Sequence, residues 1–132
     1  MNVRIGLKRL LPGFEGRLLL RRIINLPRDS FESLTKRRDP FIAPHGLWFV
    51  GGEEDYKRIN EEFFRYFVEL GGLQPGERVL DVGCGIGTMA ARLTSFLTPE
   101  GSYDGFDIVR AGTRWASKHI SARFPNFRFR HS

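Results

Sequence analysis

Apolar residues recur at two different periods along this chain. From Phe14 to Ile24 the spacing is helical, with Leu18, Leu19 and Ile23 near one face and Arg17, Arg21 and Arg22 on others. Pro27, Pro40, Pro44 and Gly46 then punctuate the chain, which predicts a short helix around Ser30 to Lys36 followed by an extended linker. Leu47 to Val50 is an apolar strip ending at Gly51-Gly52. A helix starts near Glu53, where Glu53, Glu54 and Asp55 suit the positive end of the helix dipole. Ile59, Phe63, Phe67 and Leu70 make its apolar stripe, read as core, and Gly71-Gly72 stop it.

The second half alternates strand and helix. Arg78 to Val82 reads as a short buried strand, entered through Pro75-Gly76-Glu77. Thr88 to Leu97 reads as a helix that ends at Thr98-Pro99-Glu100-Gly101. Ser102 to Ile108 is the next strand, Arg110 to Phe124 the next helix, and Phe127 to His131 a third, alternating strand after Pro125-Asn126. Strands alternating with helices predict an α/β fold with a mostly parallel sheet. The predicted division is a basic helical and linker segment over 1–46 and an α/β domain over 47–132.

Composition adds three constraints. The 132 residues suffice for one small domain, and 41% apolar content fits a globular chain. No apolar run approaches a membrane span. A single cysteine, Cys84, excludes an internal disulfide and offers no metal-ligand set, which fits a cytoplasmic setting.

The formal charge of +6 is unevenly spread. Residues 1–40 hold ten Lys/Arg against four Asp/Glu, and the rest of the chain is balanced. A nucleic-acid-binding surface is therefore not indicated. Three readings compete for the basic segment: a helix packed on the domain, a surface for anionic lipid or a partner, and a targeting peptide. Lys36-Arg37-Arg38 reads as a solvated loop and His119 as a structural helix residue.

Chemistry concentrates between the first strand and the helix after it. Gly83, Gly85 and Gly87 follow Asp81 at alternate positions. Glycines let a backbone turn take positive φ and let a ligand come close, and the next helix offers unpaired N–H groups. Gly85-Ile86-Gly87-Thr88-Met89-Ala90 fits a dinucleotide fingerprint. Asp81 argues against a pyrophosphate there, which a carboxylate repels, and in favour of a cationic ligand. Asp107, twenty positions after Gly87, stands near the interval at which βαβ folds place a ribose-binding acid.

Leu80-Asp81-Val82-Gly83-Cys84-Gly85-Ile86-Gly87 closely resembles the acidic-x-G-x-G-x-G motif of class I S-adenosylmethionine-dependent methyltransferases. The resemblance covers roughly Leu47 to the end of the sequence. It implies a Rossmann-like three-layer fold, S-adenosyl-L-methionine as cofactor, and methyl transfer as the reaction. It also implies roles: Gly83, Cys84, Gly85 and Gly87 line the cofactor, Asp81 orients the loop and the methionine amino end, Asp107 binds the ribose, and Ile108 packs on the adenine. Phe49, Gly51 and Gly52 are expected at the methionine end. No catalytic base can be named, and no metal is implied.

The sequence supplies three strands where that family has seven, so a truncated chain is expected, or one that pairs with a partner. Either way, the Asp81 strand is expected to be an open apolar edge. The acceptor expected is a small molecule or a lipid head group. Two other readings stand beside this one: an NAD(P)-dependent oxidoreductase using the Gly85-x-Gly87-x-x-Ala90 turn, and an inactive cofactor-binding interaction module.

Overall fold

The computed structural model describes residues 13–49 and 53–132. It divides into two compact units. Among the described residues, one holds 13–39 together with Pro44–Phe49, and the other holds Pro40–Ala43 and 53–132.

In the first unit, helix α1 runs from Phe14 to Leu34 without a break at Pro27. The sequence reading had two short helices there. Proline removes one backbone donor from a helix interior, a cost of about 3 kcal/mol. Anchors on the C-terminal side of Pro27 favour continuing the helix. Asp29 accepts the His45 backbone N–H at 2.7 Å and the Gly46 N–H at 3.0 Å. Arg38 donates to the same carboxylate at 3.1 Å. Glu32 takes Arg28 at 2.8 Å and His45 Nε2 at 3.1 Å. Burial pushes the Glu32 carboxyl up, but Arg28 and His45 outweigh it and hold the group below its ordinary value. A short 3-10 turn, His45–Leu47, is thereby fixed along α1. Leu47 and Trp48 are buried, as are Leu18 and Leu20.

The second unit is α/β. Helix α2 (Glu53–Glu69) leads to strand β1 (Arg78–Val82). Helix α3 (Thr88–Leu93), strand β2 (Ser102–Asp107), helix α4 (Arg110–Ala116) and strand β3 (Phe127–His131) follow. The sheet order is β1-β2-β3, all parallel, with Asp81 opposite Gly105 and Asp107 opposite His131. Strand positions match the sequence reading closely because Pro-Gly and Pro-Asn turns bound them. The helices are shorter than predicted. Thr94 and Ser95 turn their hydroxyls back onto the Ala91 and Arg92 carbonyls, which loosens α3 after Leu93. α4 widens into a π turn over Ser117–Ser121. There His119 stacks on Trp115 at 4.6 Å and donates Nδ1–H to its carbonyl, a structural role.

The core lies on one face of this sheet. Tyr103 and Phe127 stack at 5.4 Å and pack with Ala90, Leu93, Ala116 and Ile120 from the helices. Phe41 joins through Phe124 at 5.4 Å. The stripe expected to bury α2 does not do so: Ile59, Phe63, Phe67 and Leu70 are exposed. The neighbouring stripe faces inward instead. Tyr56 donates to the Thr88 carbonyl, Asn60 is buried, and Phe64 meets Phe96 edge-on at 5.1 Å. Arg92 clamps the pair, its guanidinium 3.6 Å over Phe64 and 2.7 Å from Glu61.

β1 is likewise not a buried strand. Leu80 and Val82 are 68% and 70% exposed on the sheet face opposite the core. Among the described residues β1 pairs only with β2, so it is an edge strand as expected, and Leu80 and Val82 add apolar side chains on its exposed face. No helix of the described residues is long and apolar enough to cross a membrane.

Candidate functional site

β1 ends at Val82, and the backbone turns sharply through Gly83 to Gly87 into α3. The turn is tied to the neighbouring strand end. The N–H groups of Gly83 and Cys84 both donate to the Phe106 carbonyl, at 2.9 and 3.1 Å. Gly83, Gly85 and Gly87 have φ of 86°, 58° and 76°. At Gly83 this left-handed geometry coincides with open space: a Cβ there would meet nothing within 4 Å. One side of the turn is therefore bare backbone facing outward.

Beneath the turn the packing is tight. Cys84 and Ile86 are buried. Gly105 on β2 is required there, because a Cβ would lie 3.0 Å from Cys84 Cβ and Sγ.

Asp107 closes the turn from the side. Its Oδ2 accepts the Gly85 N–H at 2.8 Å, and its Oδ1 accepts the Val109 N–H at 2.7 Å. The residue is only 8% exposed. One carboxylate thus ties the glycine turn to the start of α4. Ile108 beside it is 80% exposed, an apolar side chain standing in solvent at the rim.

Asp81 points to the same sheet face and receives the hydroxyl of the fully buried Tyr103. Sequence reasoning missed Tyr103. The signal was the alternation Tyr103-Gly105-Asp107, which in a parallel register with β1 puts all three on the face that carries Asp81. Burial, then the Asp81 charge, drives the Tyr103 phenol far above its ordinary value, so it remains a donor. Burial, reinforced by the Asp81 and Asp107 charges, pushes the Cys84 thiol up to about 12. Cys84 is a packed neutral thiol rather than a nucleophile.

The electrostatics follow from these placements. Among the described residues neither Asp81 nor Asp107 has a cationic side-chain partner. Two carboxylates therefore stand beside an open glycine turn with their charge uncompensated. Of the other residues expected at the site, Phe49 lies in the first unit, its ring 5.5 Å from that of Phe14. Gly51 and Gly52 fall outside the described residues.

No family model matches the sequence. Solved structures do. Coclaurine N-methyltransferase, bound to N-methylheliamine and S-adenosylhomocysteine, aligns over 98% of this chain with a TM-score of 0.50 and 14% identity. A cyclopropane-fatty-acyl-phospholipid synthase-like protein from Lactobacillus casei aligns over 76% with a TM-score of 0.50 and 20% identity. This chain has the fold of the class I S-adenosylmethionine-dependent methyltransferases. It spans 42% and 38% of the lengths of those two proteins. The strand ends of the three-strand sheet carry Asp81, the glycine turn and Asp107.

Proposed function

We propose that the chain binds S-adenosyl-L-methionine at the turn after β1 and takes part in methyl transfer to a small-molecule or lipid acceptor. The observation that carries this reading is the pair of uncompensated carboxylates beside an outward-facing Gly83 backbone. A pyrophosphate would be repelled there, whereas an ammonium and a sulfonium are attracted. That contrast also sets aside the nicotinamide reading.

The residues fit the group. Asp81 would hold the amino end of the ligand while Tyr103 holds Asp81. The Gly83–Gly87 backbone would form the wall that the ligand lies against, with Cys84 packed beneath. Asp107 would accept the ribose hydroxyls through the lone pairs left after Gly85 and Val109 are served, since each carboxylate oxygen has two. Ile108, exposed at the rim, would pack on the adenine.

The bound cofactor supplies a methyl group already activated by its sulfonium. What this chain would contribute is position: a turn tied down by the Phe106 carbonyl and Asp107, a fixed charge at Asp81 and a partner for the ribose. The named activities of the two fold neighbours, on coclaurine and in a fatty-acyl-phospholipid synthase-like protein, support a small-molecule or lipid acceptor.

The test is differential thermal stabilisation. A ligand that binds only the folded state raises the melting temperature. S-adenosylhomocysteine is expected to raise it in a dose-dependent way and NADH to leave it unchanged. Stabilisation by NADH and not by S-adenosylhomocysteine would overturn the proposal.

A further inference from the structure

We infer that the exposed face of α1 is a docking surface for an anionic phospholipid bilayer, with the helix lying in the plane of the lipid head groups. The face is built from Leu19, Ile23, Ile24, Leu26, Phe31 and Leu34, all exposed. At 3.6 residues per turn these six fall within one continuous arc of the helix. Leu20 lies in the same arc and is buried.

Charge is segregated around that arc. Arg17 and Arg21 border it on one side, beside Ile24 and Phe31, and Arg22 borders it on the other, beside Leu26. All three arginines are exposed, and among the described residues none of them makes an ion pair. From Leu26 round to Arg21, a span of roughly 220°, no acidic residue occurs. Two acids of the helix are occupied elsewhere, Asp29 and Glu32 at the His45–Leu47 turn, and the third, Glu15, stands in the first turn at the edge of the arc, between Leu26 and Arg22 in projection. Residues 1–12, which lead into the helix, add Arg4, Lys8 and Arg9 and no acid.

A broad apolar sector bordered by arginines is the profile of an interfacial helix: the apolar side chains enter the head-group boundary while the guanidinium groups reach lipid phosphates. The charge pattern selects the occupant. A second copy of this face would bring three arginines against the single acid at its edge, Glu15, so it is poorly complementary. An anionic bilayer supplies the missing sign along the exposed part of the face, at Leu19 and from Ile23 to Leu34.

The test is sedimentation of the full chain with vesicles of phosphatidylcholine, alone or with about 30 mol% phosphatidylglycerol, a strongly anionic surface. The chain is expected to sediment with the anionic vesicles only, and to be released as salt rises. Ile23→Glu with Leu26→Glu is expected to abolish binding. Arg17→Gln with Arg21→Gln is expected to weaken partitioning roughly 30-fold, the equivalent of two surface charges. All four positions are exposed, and an unchanged urea midpoint confirms that each variant still folds.

Failure of the unaltered chain to sediment with anionic vesicles would overturn the inference. So would binding that persists in the Glu variant. So would a dimer in solution that the same variant dissociates, since that would assign the face to a second copy. Cofactor binding is read separately, by thermal shift with S-adenosylhomocysteine, so the two proposals fail independently.

Discussion

Asp107→Asn separates the structural use of this carboxylate from its use toward a ligand. In the native chain the two oxygens accept the Gly85 and Val109 N–H groups at 2.8 and 2.7 Å, in a site 8% exposed. Asparagine keeps one acceptor oxygen and turns an NH2 group toward the second N–H. One charge-assisted bond is lost, worth about 1.5–3 kcal/mol, and one backbone donor is left facing another donor. Relief of burying a charge returns part of this. The net expectation is a loss of about 2 kcal/mol, which for a chain of this size lowers the melting temperature by about 8 °C.

Urea denaturation followed by far-UV circular dichroism measures it, with the midpoint falling and the slope unchanged. Asp107→Ala, which strands both N–H groups, should cost more than Asn. A change below about 0.5 kcal/mol, the scatter of ordinary surface substitutions, would refute the claim that this carboxylate holds the turn to α4. If affinity for S-adenosylhomocysteine fell while stability did not, the group would serve the ligand alone.

Tyr103→Phe removes the hydroxyl that serves Asp81 and should cost about 1.5 kcal/mol by urea midpoint; no loss would mean that Asp81 needs no internal donor. Gly83→Ala and Gly105→Ala should behave oppositely. The first strains a φ of 86° in open space, costing about 1 kcal/mol, and acts mainly on ligand affinity. The second drives a Cβ against Cys84 and Tyr103, costing about 1–3 kcal/mol whether or not ligand is present, and a Gly105→Ala chain as stable as the native one would contradict the packing described. Cys84 should resist iodoacetamide at neutral pH in the folded chain and react only in urea. Because its folded value lies above the unfolded one, at about 12 against 9.0, its stability contribution is intact below pH 9 and is lost as pH rises toward 12. Fast native alkylation would refute its burial.

Strand positions were legible because turn residues bound them: β1 and β3 run over the very residues that the patterning predicts. Helix faces were not. α2 carries two adjacent stripes of helical spacing, one through Ile59 and Phe63 and one through Asn60 and Phe64. Periodicity alone favours the more apolar stripe, but tertiary contact with Phe96 and Arg92 selects the other. Pro27 misled for a related reason. Its local penalty is real, yet Asp29 and Glu32 reach a turn more than a dozen residues away, and no local pattern records that contact.

At the site, Asp81, the glycines and Asp107 were readable from spacing. Two features depend on tertiary placement that no local pattern records. One is the Tyr103 hydroxyl on Asp81, which depends on strand register. The other is Asp107 turned onto the Gly85 backbone, which depends on how β2 ends beside the turn.

The central claim is that the turn after β1 is a cofactor site. Calorimetric titration of S-adenosylhomocysteine into the purified chain tests it most directly, with Gly83→Val beside it to fill the open side of the turn. The account predicts one-to-one binding, weakened by about tenfold or more in the variant, a difference of roughly 1.4 kcal/mol. A chain that unfolds cooperatively in urea, yet releases no heat with S-adenosylhomocysteine and gains no thermal stability from it, would contradict the claim.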